Sequence, residues 1–116
     1  MRHLKSGRKF HRTKGRRQAF LKGLIGNLII REKIETTEAR AKEIKSLTEK
    51  LTTLAKKQNL AALRILMSRI NKQAAQKLYY QIAPRYQERK GGYLRIIKEA
   101  KARKNDGSKM AIIEFV

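Results

Sequence analysis

No acidic residue precedes Glu32, whereas Arg2, Lys5, Arg8, Lys9, Arg12, Lys14, Arg16, Arg17, Lys22 and Arg31 all do. Ten like charges without a counter-charge cannot be drawn together inside a packed fold, so this stretch must be neutralised from outside the chain. Polyanions available in quantity are nucleic acid and anionic membrane. Ser6, Gly7, Thr13 and Gly15 interrupt the basic residues where a membrane-surface helix would carry an apolar stripe. The pattern fits an extended tracker of phosphates better. Residues 1–15 therefore read as an extended basic arm. Ordering fifteen residues costs on the order of 20 kcal/mol at about 1–2 kcal/mol each. Leu4 and Phe10 are its main apolar side chains, too few to offset that by burial. The arm is expected to be disordered alone and ordered on its partner.

The imbalance extends through the chain. Lys and Arg number 30 against 9 Asp and Glu, a net charge of +21 over 116 residues, so internal pairing cannot absorb the excess. A polyanionic partner is the expected source of relief. Hydrophobic content of 41% still allows a modest core. With no cysteine there is no disulfide framework or thiolate chemistry. No apolar run approaches the roughly 20 residues of a membrane span, and the polar start lacks a signal-peptide core. A cytoplasmic protein is expected.

Residues 16–116 read as a single globular α+β domain. From Arg16 to Ile30, Phe20, Leu21, Leu24, Ile25, Leu28 and Ile29 recur at helical spacing. Gly23 and Gly26 each weaken that helix by about 1 kcal/mol relative to Ala, which predicts another element packed close by. Lys33 to Thr37 is β-prone, with Ile34 and Thr36 facing one way. Thr36 or Thr37 can cap a second helix running to about Lys57 along Ile44, Leu47, Leu51 and Leu54, with Glu38 in its first turn. Leu60–Ile70 and Lys72–Ala83 read as shorter helices, the second ended by Pro84. Tyr93–Lys98 and Met110–Val116 are rich in β-branched and aromatic residues. With Asn105-Asp106-Gly107 between them, they form a long-looped hairpin whose last strand presents Ala111, Ile113 and Phe115 to the core. The expected architecture is two-layer, about four helices packed on a small three-stranded mixed sheet.

Most catalytic chemistry is missing. His3 and His11 are the only histidines, no thiolate can join them at a metal, and neither a P-loop nor a dinucleotide fingerprint occurs. Glu35 and Glu38 read as solvated surface rather than an acid–base pair. Gly23-Leu24-Ile25-Gly26 resembles a GXXG clamp in spelling but falls inside a helical apolar pattern. No catalytic, cofactor-binding or metal-binding residue and no small-molecule substrate is expected. Beyond the arm, positive charge concentrates in Arg85-Tyr86-Gln87-Glu88-Arg89-Lys90-Gly91-Gly92-Tyr93 and on to Arg95. Arg forks bind phosphate and tyrosines stack on unpaired bases. Equally, Gly-Gly can simply turn the chain into a strand, with the tyrosines in the core. Lys101, Arg103, Lys104 and Lys109 in the hairpin loop form a weaker basic group.

Several segments also carry a likeness. The opening Met1-Arg2-His3-x-Lys5-x-x-Arg8-Lys9-Phe10-x-Arg12-Thr13, the block Ile34-Glu35-Thr36-Thr37, and Ile82-Ala83-Pro84-Arg85-Tyr86 are three of them. Arg89-x-Gly91-Gly92-Tyr93-x-Arg95-Ile96 and the ending Met110-Ala111-Ile112-Ile113-Glu114 follow in order. Together they resemble the family of bacterial large-subunit ribosomal protein seventeen along the whole chain. The resemblance implies a non-enzymatic structural component of the 50S particle. Such a protein binds 23S ribosomal RNA and touches neighbouring ribosomal proteins near the exit tunnel. On this reading the basic residues Arg2, His3, Lys5, Arg8, Lys9, Arg12, Lys14, Arg16 and Arg17 are expected to contact RNA, with a second anchor at Arg85, Arg89, Lys90, Tyr93 and Arg95. A DNA-architectural protein explains the charge as well, but it predicts a recognition helix and dimer seam that the sequence lacks. A membrane-active helix would need basic residues along its length, and those of Arg16–Ile30 lie mainly at its ends.

Overall fold

The computed structural model describes Phe10 and residues 12–116, and the elements lie close to their expected places. Helix α1 spans Lys14–Arg31, β1 Lys33–Thr37, α2 Glu38–Ala55, α3 Leu60–Arg69 and α4 Lys72–Lys77. Strands β2 (Leu94–Ala102) and β3 (Lys109–Phe115) close the chain. Lys14 and Gly15, read as arm, instead form the first turn of α1, preceded by Thr13 in extended conformation. Of the expected arm, residues 1–9 and His11 lie outside the described residues.

Local chemistry explains the boundaries. The Thr37 hydroxyl accepts from the Arg40 amide, and Asn59 and Asn71 accept from Ala62 and Ala74, so α2, α3 and α4 each start on a side-chain cap. Helix α1 ends where Glu32 turns into the left-handed region at φ 64°, its amide bonded to the Leu28 carbonyl. Pro84 does not stop the chain's helical course. Helix α4 widens into a π turn over Leu78–Ile82, where the Ala83 amide bonds to the Leu78 carbonyl, and then tightens into a 3₁₀ turn over Ala83–Tyr86. Pro84 is tolerated because it opens that new turn, where its missing N–H has no helical partner to lose.

The sheet has the order β1-β3-β2, and both neighbouring pairs are antiparallel. This corrects the expected mixed sheet. Strands β1 and β2 do run in the same direction, but β3 inserts between them and is antiparallel to each, so no parallel ladder forms. Ile113 sits opposite both Ile34 and Ile96. One face of the sheet, with Thr36, Leu94, Ala111, Ile113 and Phe115, is buried under the helices. Ile44 of α2, Leu28 and Ile29 of α1, Leu66, Ile70, Leu78 and Ile82 complete the core. Burying a large aliphatic side chain contributes about 1.5–3 kcal/mol.

Gly26 and Gly23 divide in their roles. A Cβ on Gly26 would lie 2.7 Å from Nδ2 of Asn71, the cap of α4, which is the close approach the sequence predicts. Nothing lies within 4 Å of a Cβ on Gly23.

Candidate nucleic-acid interface

Charge is segregated along the chain. All nine acidic residues fall in 32–49 and 88–114, namely Glu32, Glu35, Glu38, Glu43 and Glu49, then Glu88, Glu99, Asp106 and Glu114. The stretch from Lys50 to Gln87 contains none, yet it carries Lys50, Lys56, Lys57, Arg64, Arg69, Lys72, Lys77 and Arg85. Helices α1, α3 and α4 are thus free of acid from end to end. They also pack together, α4 touching both α1 and α3. Folding therefore gathers two separate acid-free stretches into one helical side. Among the described residues, no carboxylate lies within ion-pair distance of Lys14, Arg16, Lys22, Arg31, Lys50, Arg64, Arg69 or Lys72, and all eight are exposed. The acid-free run from 50 to 87 was legible in the sequence but is easily overlooked, because its cations are spaced out among apolar residues instead of clustered.

The arm's root is held by aromatic chemistry. The Phe10 ring meets Phe20 of α1 edge-on at 5.5 Å between centroids. The Arg12 guanidinium lies 4.0 Å above the Phe20 ring and Arg40 of α2 lies 5.0 Å from it. Arg12 also donates to the Phe10 carbonyl at 3.1 Å. Arg12 is therefore half-buried and directed to its own chain. Each cation–π contact of this kind is worth about 0.5–1 kcal/mol. Lys14 and Arg16 project from the first turn of α1, with Arg17 half-buried behind them. Arg2, His3, Lys5, Arg8 and Lys9 lie outside the described residues.

The second expected anchor is divided by the fold. Tyr93 is fully buried. Its hydroxyl lies 2.9 Å from Lys56 Nζ and 3.4 Å from Thr53 Oγ1, which tie the start of β2 to the end of α2. Burial raises the Tyr93 phenol, and the Lys56 and Thr53 hydrogen bonds outweigh it, leaving the pKa below the ordinary value. Tyr86 is buried too, donating to the Val116 carbonyl at 2.6 Å and stacking on Phe115. Neither tyrosine offers a face to a base, which corrects the stacking role considered for them. Both belong to the core because the 3₁₀ turn and the Gly92 turn, at φ 64°, point them at the α2–sheet junction.

Arg85 forms a bidentate pair with Glu32, which Lys77 also meets at 3.3 Å. These partners, Arg85 first, hold the Glu32 carboxyl below its usual range against the opposing effect of burial. Arg95 donates to Glu114 at 2.7 Å on the open face of the sheet. Arg89 reaches only the Gly91 carbonyl, at 3.3 Å, and Lys90 is exposed without a partner among the described residues. Arg89 and Lys90 are therefore the members of this group left with charge to spare. In the hairpin loop Arg103 pairs with Asp106, whose other oxygen accepts from the Ser108 amide, so part of that basic cluster serves the turn.

Among the described residues, no group of His, Asp and Glu could hold a metal ion, and no helix is long and apolar enough to cross a membrane. The arrangement can bind a polyanion across its helical side.

Comparison with known proteins names the lineage. The profile of the family Ribosomal protein L17 matches residues 20–116. Large ribosomal subunit protein bL17 of Persephonella marina is 49% identical over 118 residues, spanning 100% of this chain and 95% of the relative. Its counterpart in Pelobacter propionicus is 48% identical over 117 residues, spanning 100% and 91%. That of Thermodesulfovibrio yellowstonii is 46% identical over 117 residues, spanning 100% and 87%. The chain belongs to the Ribosomal protein L17 family, a family of structural proteins and not of enzymes.

Proposed function

We propose that this chain is a structural constituent of the large (50S) ribosomal subunit in the cytoplasm. It binds 23S ribosomal RNA, neutralises phosphates along that RNA and so supports subunit assembly and translation. One observation carries the reading: an acid-free helical side in a chain whose full-length relatives are named as large-subunit proteins. Unpaired cations on a rigid surface release the counterions of the RNA they meet, which favours binding and makes it fall steeply with salt. On this reading Arg2, His3, Lys5, Arg8 and Lys9 continue the surface as the penetrating arm, with Lys14, Arg16 and Arg17 at its base. Arg89 and Lys90 give a second point of attachment. Neighbouring large-subunit proteins near the exit tunnel are the expected protein partners; no membrane or small molecule is involved. Sedimentation tests this. Tagged protein should travel with 50S particles through high salt, and purified protein should prefer 23S fragments to duplex DNA at matched salt. Failure to enter the particle, or equal affinity for the DNA, would remove the proposal.

A further inference from the structure

A groove of about 730 Å³ opens at the edge of the acid-free side, where α1, α2 and the end of α3 meet. Its floor is aliphatic, including Leu21, Leu47 and Ile70. Lys22, Lys50 and Arg69 line it, one from each helix, all exposed and without a carboxylate within ion-pair distance among the described residues. Gln18 stands at the same groove, exposed, its amide without a hydrogen-bond partner among the described residues.

We infer that this groove receives the base of an unpaired RNA nucleotide, with the flanking phosphates held by Lys22, Lys50 and Arg69. The inference rests on the RNA-binding function proposed above and assigns it a site. Charge complementarity selects the occupant. An apolar floor alone would suit any hydrophobic side chain, and three cations alone would be a solvated surface. Single-stranded RNA joins an anion to a flat, weakly polar base in every unit, and it matches floor and rim together. A stacked duplex offers no free base without unstacking, so the target is a loop or bulge. The volume lies within the 300–1,000 Å³ range of sites that enclose small ligands. The Gln18 amide, donor and acceptor at once, is placed to meet a base edge.

A photo-crosslinking benzophenone residue at Gln18, in full-length protein assembled into large subunits, tests the site. The expected result is a crosslink to a single unpaired nucleotide, mapped by primer extension. Replacing Lys22, Lys50 and Arg69 together by Gln should abolish that crosslink. It should also lower the salt slope of binding to the mapped RNA fragment by about 2, at roughly 0.7 per single-strand phosphate contact. A crosslink to another protein or to the chain's own N-terminal segment would overturn the inference. So would an absent crosslink in particles that contain the chain, or an unchanged slope in the triple variant. In those cases the protein still enters the particle and the broader proposal stands. Exclusion of the unsubstituted chain from the particle would remove both.

Discussion

The helical side and the sheet side of this protein handle charge in opposite ways. On the sheet side cations are answered locally: Arg95 and Lys33 meet Glu114, Lys98 meets Glu38, and Arg103 meets Asp106. On the side built by α1, α3 and α4, Lys77 meets Glu32, but Lys14, Arg16, Lys22, Arg31, Arg64, Arg69 and Lys72 have no carboxylate within ion-pair distance among the described residues. Exposed ion pairs contribute little to stability, about 0–1 kcal/mol each. Their greater effect is to cancel the field that would attract a polyanion. Both sides carry many cations, so total charge does not distinguish them; the distribution of the nine acids does, and the proposed RNA surface follows from it. Glu32 sits at the seam, ending α1 and receiving Lys77 from the end of α4 and Arg85 from the 3₁₀ turn that follows.

Substitutions test this division of charge. The largest effect should come from the junction between the two sides. Tyr93→Ala removes a fully buried aromatic ring and its link to Lys56, and should cost about 3–5 kcal/mol in denaturant unfolding. A ring serving mainly to stack on RNA would instead leave unfolding unchanged and weaken binding. The second test sets the two surfaces against each other. Replacing Arg16, Arg31, Arg64 and Lys72 by Gln should lower the salt slope for ribosomal RNA by about 3, at 0.7–0.9 per contact. The same change at Lys33, Arg95, Lys98 and Arg103 should lower it by less than about 1. Equal losses would mean that the segregation has no bearing on binding.

Smaller effects sharpen the seam. Arg85 and Lys77 depress the Glu32 pKa. A carboxylate with a lowered folded pKa adds stability above its unfolded value near 4.5, and loses it as pH falls through the folded one. Glu32→Gln should therefore cost up to about 1 kcal/mol at neutral pH. The difference from the parent should vanish in acid below the folded pKa, as thermal unfolding across pH would read. The opposite sign holds for Glu99 on the sheet, whose pKa is raised first by its hydrogen bond with Glu35, then by burial. Its contribution is present in acid and declines as pH rises from about 4.5 through the raised value. Glu99→Gln should flatten that decline. Last, Gly23→Ala should stabilise by about 0.5–1 kcal/mol through helix propensity, since the added methyl meets open space. Gly26→Ala should come out near neutral, because displacing Asn71 loses a cap worth about 1 kcal/mol. Urea midpoints of the two variants would separate them.

Much of the fold was legible because its cues are local. The period-2 faces Ile34/Thr36 and Ala111/Ile113/Phe115, the cap at Thr37 and the stop at Asn59 all act within a few residues, and the elements formed accordingly. Pro84 misled because a helix breaker in isolation also fits the opening positions of a new turn, here the second, which the π turn before it made available. The hairpin reading of the last two strands held, but the place of β1 in the sheet could not be read. It depends on where β3 inserts, a choice made by long-range burial of Ile113 between Ile34 and Ile96.

By itself the sequence determined the excess of positive charge, the helices and strands, the family, and that two long stretches lack acid. Only the tertiary structure decided which cations remain unanswered. Pairing depends on distances of a few ångströms across residues far apart in the chain, as from Glu32 to Arg85 or Arg95 to Glu114. The same packing sent Tyr86 and Tyr93 into the core and opened an aliphatic groove beneath Lys22, Lys50 and Arg69. Local periodicity left the tyrosines open between core and surface, and it could not foresee the groove, because α1, α2 and α3 converge there only when the core closes.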